Sequence, residues 1–296
     1  MGTQAQTLPS TSIDPRTRVG QLSLTVADLD RSIAFYTTGF GFAVLQRDGS
    51  TALLGAEDSP LLQLIEERGA APWPGHYTGL FHFAVLVPSR ADLGRWLRHW
   101  LESGYPLPGQ GDHLVSEALY LSDPDGNGIE IYRDRPRSEW QWENGQVRMA
   151  TDPVDLKAVI AEGDAAGSPW TGLPSGTRLG HMHLQIGDIN QAAAFYSGVL
   201  GFDIVARMPS ALFISAGGYH HHIGMNTWHS RGATAAPAGV AGLRHFTIEF
   251  ADDAARTAVV ERLRAAGQPT SVDGADVIAQ DPWRNTIRLQ VGPRPA

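Results

Sequence analysis

Apolar and polar residues alternate from the start of the recognisable pattern. Leu22, Leu24 and Val26 share one side of a period-two run, which predicts a half-buried strand. Asp28 follows as a helix cap before residues 29–38. The same succession recurs with Ser89 before 90–103, Asp188 before 189–199 and Asp252 before 253–266. Gly41, Gly104, Gly201 and Gly267 fall where those helices should stop. Short strands with Gly-rich turns complete each unit. The pattern predicts four βαβββ modules, at 18–66, 76–133, 178–230 and 240–292, and hence an α+β fold.

The modules are related by duplication. VGQLSLTVADLDRSIAFYTTGFGF from Val19 aligns with LGHMHLQIGDINQAAAFYSGVLGF from Leu179. Asp28 pairs with Asp188, Phe35 with Phe195, Tyr36 with Tyr196 and Gly41-Phe42 with Gly201-Phe202, all offset by 160 (188 − 28). One register held across a strand and a helix marks a true repeat. GLFHFAVLV from Gly79 likewise resembles GLRHFTIEF from Gly242, and SDPDGNGIEIY from Ser122 resembles QDPWRNTIRLQ from Gln280. The expected organisation is a disordered tail at 1–17, a first domain at 18–133, a linker at 134–177 and a second domain at 178–292. A plain connection would be shorter than this linker. Pro153 to Glu162 predicts a helix within it, packed across the domains.

The chain has 296 residues, enough for two cores, with a net charge of -8. No basic stripe suggests nucleic acid or an anionic membrane as partner. The absence of Cys excludes disulfides, thiolate metal sites and Cys nucleophiles. Met1 to Arg18 is polar and reads as neither signal peptide nor anchor, and no window reaches the length of a membrane span. The expectation is a cytoplasmic protein, and the sequence leaves room for a homo-oligomer.

Two motifs bring a family into view. V-x-D-L-x-x-S-x-x-F-Y at Val26 to Tyr36 and D-P-D-G-N-G-I-E-x-Y at Asp123 resemble the vicinal oxygen chelate superfamily. That superfamily comprises glyoxalase I, bleomycin and fosfomycin resistance proteins and extradiol dioxygenases. SEALYLSDPDGNGIEIY with the following RPRS, and SAGGYHHHIGMNTW, are most similar to Bacillus-type two-domain catechol 2,3-dioxygenase-like proteins. The resemblance implies paired modules forming half-open barrels, with metal ligands from first strands and from the strand after D-P-x-G. The repeat then points to Gln21, His82, His181 and His245 on first strands, and to Glu130 and Arg288 on last strands. Guanidinium cannot ligate a metal, and Gln21 is a feeble ligand. Pairing modules one with two, or three with four, therefore leaves an incomplete set. Pairing two with three gives His82, Glu130 and His181, a 2-His-1-carboxylate set suited to Fe(II), with Mn(II) also fitting. Either His alone would more often be packed than ligating; the trio at repeat-equivalent positions outweighs that reading. His183 is assigned to packing or to a place behind the ligands, and His245 to a buried or cleft position in the other barrel.

The resemblance extends beyond the ligands. It implies that Tyr120, ten residues before Glu130, contacts the bound diol, and that His113 lies at the substrate rim. Read as part of a strand, the run His220, His221, His222 sends His220 and His222 to one face and His221 to the other, and the resemblance implies an acid–base His there, with His222 the best match and His220 next. Tyr132, Phe81, Trp228 and Asn226 would shape the pocket or fill core. The implied function is an extradiol dioxygenase acting on a small aromatic diol with O2. Two alternatives stand: a glyoxalase-like isomerase or lyase on the same ligands, and a metal-free binding protein of the resistance type.

Overall fold

The computed structural model describes residues 12–292. The four first strands are Arg18–Val26, Gly79–Leu86, Arg178–Gln185 and Gly242–Phe250. Helices start at the expected caps, where the side chains of Asp28, Ser89, Asp188 and Asp252 each accept from the backbone N–H three residues on. In modules one and three the helix widens into π-helical turns over Phe35–Phe40 and Ala193–Val199. Gly41, Gly104, Gly201 and Gly267 end the helices at positive φ, which a residue with a Cβ resists.

Within each module the fourth strand lies parallel to the first, and the third and second follow outward. The modules join through their first strands. One and four share an eight-stranded sheet, and two and three share another. Both joins are antiparallel, with Ser23 opposite His245 and His183 opposite His82. Each curled sheet is a half-open barrel, so the sequence halves exchange partners, the pairing that the ligand positions require. Strand alternation sorts the side chains. Leu22, Leu24, Phe83, Val85, Met182, Leu184, Phe246 and Ile248 enter one core that runs through all four modules. The intervening residues of modules two and three face the barrel interior.

The F-Y and D-P motifs meet in space. The Tyr36 hydroxyl donates to Asp123 Oδ2 at 2.8 Å, and Tyr196 donates to Asp281 Oδ2 at 3.0 Å. Asp123 also accepts from the backbone N–H groups of Asp125 and Asn127 and from the Asn127 amide. Asp281 accepts equivalently from Trp283 and Asn285. These bonds fix the turn that launches each last strand.

The linker is largely ordered structure. Its helix is Leu156–Ala165, starting later than the predicted 153 because Asp155 caps it by accepting from the Ala158 N–H. It lies tightly on the helix Arg90–Glu102. A Cβ on Gly94 would stand 2.1 Å from the Val159 carbonyl oxygen, so only glycine permits the approach. Arg90 to Glu162 at 2.8 Å and Arg98 to Asp164 flank that contact. Residues 1–11 of the expected tail lie outside the described residues. The part at 12–17 is not free: Ile13 is buried in the core and its N–H donates to the Gly201 carbonyl at 2.8 Å. No described helix is long and apolar enough to cross a membrane.

Replacing Tyr36 by Phe removes one of four donors to the buried Asp123. Denaturant unfolding should show a loss of about 1–2 kcal/mol, with the m-value unchanged.

Candidate metal centre

His82, Glu130 and His181 come from three neighbouring strands of one barrel. Gly128–Asp134 runs parallel to Gly79–Leu86, which runs antiparallel to Arg178–Gln185. In this register His181 faces Ala84, and Ala84 faces Glu130. Only a methyl group lies between the two long side chains, so they can close over it. His82, two residues before Ala84, points to the same side.

All three side chains are buried, and one potential ligand atom from each lies within 4.8 Å of the others. His181 Nε2 is 3.1 Å and His82 Nε2 is 3.0 Å from the same oxygen, Glu130 Oε2. His82 Nε2 nevertheless makes no hydrogen bond. This buried imidazole nitrogen is left unsatisfied beside two further potential ligand atoms. The donor set therefore fits a divalent cation. Burial lowers the His82 pKa, which keeps a lone pair available. Burial pushes the Glu130 carboxyl up, but the neighbouring imidazoles, His181 foremost, hold it well below the usual carboxylate range. Both effects favour the protonation states that ligate.

Tyr120 pairs with Glu130 across the sheet, and its ring lies 5.6 Å from that of His82. Burial, then Glu130, raises its pKa well above normal, so it is a phenol and a donor. Its hydroxyl lies 2.6 Å from His113 Nε2, and His113 Nδ1 lies 2.7 Å from the Ala150 carbonyl oxygen. A carbonyl only accepts, so Nδ1 carries the proton and Tyr120 O–H donates to Nε2. His113 thus sits beside Tyr120 as a partner, fixed by a linker residue.

The His run is arranged differently from the expectation. The run precedes the strand Ile223–Asn226 instead of lying within it, so strand alternation does not govern it. His222 Nδ1 accepts from the Ala216 backbone N–H at 3.1 Å, and His222 does not reach the cavity. His220 is fully buried and turns away to Asp134, its Nε2 2.9 Å from Oδ1. His221 is the member that faces the centre, with its ring 4.1 Å from that of His181. His220 Nδ1 and His221 Nδ1 are 2.9 Å apart. Asp134 requires the proton on His220 Nε2, so His220 Nδ1 accepts and His221 Nδ1–H donates. That leaves His221 Nε2 as the basic nitrogen. Burial lowers its pKa well below normal, which keeps it neutral.

His183 packs against Phe81 and Trp228, its Nε2 meets the Asn226 amide at 3.0 Å, and it also lines the cavity with its ring 4.9 Å from that of His82. In the other barrel Arg288 is held by Asp273 and Asp276, both at 2.9 Å. Burial, then Arg288, lowers His245 to about 4. The described residues form one candidate metal cluster, the trio above.

A cavity of about 800 Å³ opens onto the centre. Trp73, Phe81, Met149, Met208, Phe213 and Trp228 supply apolar wall. Met149, Ala150 and Thr151 belong to the linker, and nothing periodic in that segment signalled a place at the site.

The family model for the Glyoxalase/Bleomycin resistance protein/Dioxygenase superfamily matches residues 18–131 and 178–289. The chain belongs to this superfamily. Both matches coincide with the module pairs, and the intervening linker lies outside them. A relative in Bacillus subtilis (strain 168), named catechol-2,3-dioxygenase, is 45% identical over 262 residues, covering 87% of this chain and 91% of its own. Among solved structures, one from Bacillus subtilis subsp. subtilis str. 168 aligns with TM-score 0.62 at 14% identity, covering 94% of this chain and 86% of that one. Glyoxalase I from Zea mays aligns with TM-score 0.55 at 19% identity, covering 92% of each chain. At such identities these two show the shared superfamily fold.

His222 provides a pH prediction. Burial lowers it to about 3, against about 6.5 unfolded. Between these values the unfolded chain binds a proton that the folded chain refuses, so stability falls on acidification through that window. Metal-free protein should lose about 1.4 kcal/mol more per pH unit below 6 than a His222→Gln variant, measured by urea unfolding. Parallel curves would refute this.

Proposed function

We propose that the protein is an extradiol ring-cleaving dioxygenase, acting on a catechol-type aromatic with Fe(II) and O2. The carrying observation is the convergence of two imidazoles and one carboxylate at the inner end of an open cavity, in a chain 45% identical to a protein named catechol-2,3-dioxygenase. His82, Glu130 and His181 would hold the ion; Mn(II) fits the same donors. Such an ion supplies Lewis acidity toward a diol hydroxyl and redox access to O2.

The chain's own groups handle position and protons. Tyr120, kept as a phenol, donates a hydrogen bond toward the diol or to His113 Nε2. His221 Nε2 is the base that takes the diol proton and returns it as the ring opens, a role expected earlier of His222 or His220. His220 and Asp134 fix the His221 tautomer from behind. The apolar wall excludes bulk water around these steps.

The geometry also bears on the isomerase alternative. A glyoxalase-like site of the usual kind has two carboxylate ligands, whereas Glu130 is the only acidic residue among the described residues that line this cavity. A metal-free binding protein would not need three potential ligands buried around one point.

Anaerobic loading with Fe(II), followed by a catechol and air, should consume O2 and form a yellow ring-opened product; silence across a panel of catechols would sink the proposal. Glu130→Ala should lose bound metal in elemental analysis, whereas Arg288→Ala should retain it. His221→Asn should keep the metal and lower kcat by about 10²–10⁴.

A further inference from the structure

We infer that the cavity is built for an uncharged catechol bearing a bulky apolar substituent, rather than for a bare ring or a ring carrying a carboxylate. This rests on the dioxygenase reading and concerns what lies beyond the diol.

Size is the first reason. At about 800 Å³ the cavity lies toward the upper end of small-molecule sites, and a single benzene ring would leave most of it to water. Its shape is set by fixed groups. Trp228 meets Phe81 edge to face at 5.3 Å, and His183 lies 5.8 Å from Phe213. Met149 and Met208, also in the lining, offer unbranched side chains that adapt to irregular apolar groups.

Charge is the second reason. Among the described residues, the cavity lining contains no Lys or Arg. The arginines next to the lining methionines point elsewhere and are engaged. Arg148 donates to Gln141 Oε1 at 3.0 Å, and Arg207 donates to Asn190 Oδ1 at 2.6 Å. Arg133, on the strand that bears Glu130, and Arg135, just past its end, are held by Glu117 and Asp112 respectively. A divalent ion on two neutral imidazoles and one carboxylate carries one surplus positive charge, which ionisation of the diol neutralises. A carboxylate on the substituent would be a further anion facing an apolar wall with no counter-charge. An alkyl or aryl substituent gains from the same wall by about 0.8 kcal/mol per buried CH2.

The test uses binding and turnover separately. Trp73 and Trp228 line the cavity, so quenching of tryptophan fluorescence reports occupancy in metal-free protein. The probes are 4-pentylphenol, 4-(4-hydroxyphenyl)butanoate, which has similar length but carries a charge, and phenol. 4-Pentylphenol should bind at least about tenfold more tightly than either of the others. Met208→Arg, which places a cation at the half-exposed mouth, should narrow the gap between the alkyl phenol and the acid by about tenfold. Equal affinity for the acid or for phenol in the wild type, or an unchanged gap in the variant, overturns the inference. O2 uptake by the Fe(II)-loaded protein with the corresponding catechols should follow the same order. Uptake that favours the acid overturns the inference alone. The expected binding order with no uptake on any catechol overturns the dioxygenase reading and leaves the ligand class standing.

Discussion

The antiparallel pairing of Gly79–Leu86 with Arg178–Gln185 is the constraint on which the site depends. It brings a strand of the second module against a strand of the third, across the linker and outside either sequence half. Its register sets His181 opposite Ala84 and His183 opposite His82. A slip of Arg178–Gln185 by one residue would send His181 and His183 to the core face and Met182 into the cavity. The hydrophobic alternation that fills the core therefore also aims the candidate ligands. Packing of apolar residues fixes a polar site to which the core contributes no polar atom.

The duplication explains why four candidate positions yield one centre. Each barrel receives a first-strand residue from two modules and a last-strand residue from one of them. In the barrel of modules two and three these are His82, His181 and Glu130. In the other barrel the last-strand position is Arg288, which neutralises Asp273 and Asp276 instead of awaiting a cation. What both barrels retain is the scaffold: Tyr36 on Asp123 and Tyr196 on Asp281 hold equivalent turns with equivalent donors. The bonds that position the last strand have been kept in both barrels, while the chemistry at its end differs.

Much of this was legible in the sequence because it is periodic or repeated. Strand alternation, helix caps and the 160-residue offset supplied the modules, and the chemistry of Arg288 and Gln21 eliminated two pairings. What was not legible depended on irregular backbone. The parity argument for His220 and His222 assumed a strand, whereas the chain bends from Ser215 to Ile223 and turns His221 inward. The linker's place in the cavity wall was hidden for the same reason. Met149, Ala150 and Thr151 have no periodic neighbours to announce a face, and the Ala150 carbonyl that orients His113 is a backbone group that any residue could supply.

These irregular segments matter because they join the two ends of the polar system to rigid parts of the fold. On one side Tyr120 leads through His113 to the linker backbone. On the other, His221 leads through His220 to Asp134, which also accepts from Tyr219 at 3.1 Å. Each chain ends on an acceptor that cannot donate, a carbonyl in one case and a carboxylate in the other, so the direction of every proton in between follows. Tyr120 donates its hydrogen bond to His113 Nε2 and His221 keeps Nε2 as an acceptor, on either side of a centre where burial lowers the His82 pKa and the neighbouring imidazoles hold Glu130 well below the usual carboxylate range. The hydrogen-bond polarity on both sides is therefore set by groups outside the cavity, and a residue such as Asp134 acts on His221 through tautomer choice without lining the cavity.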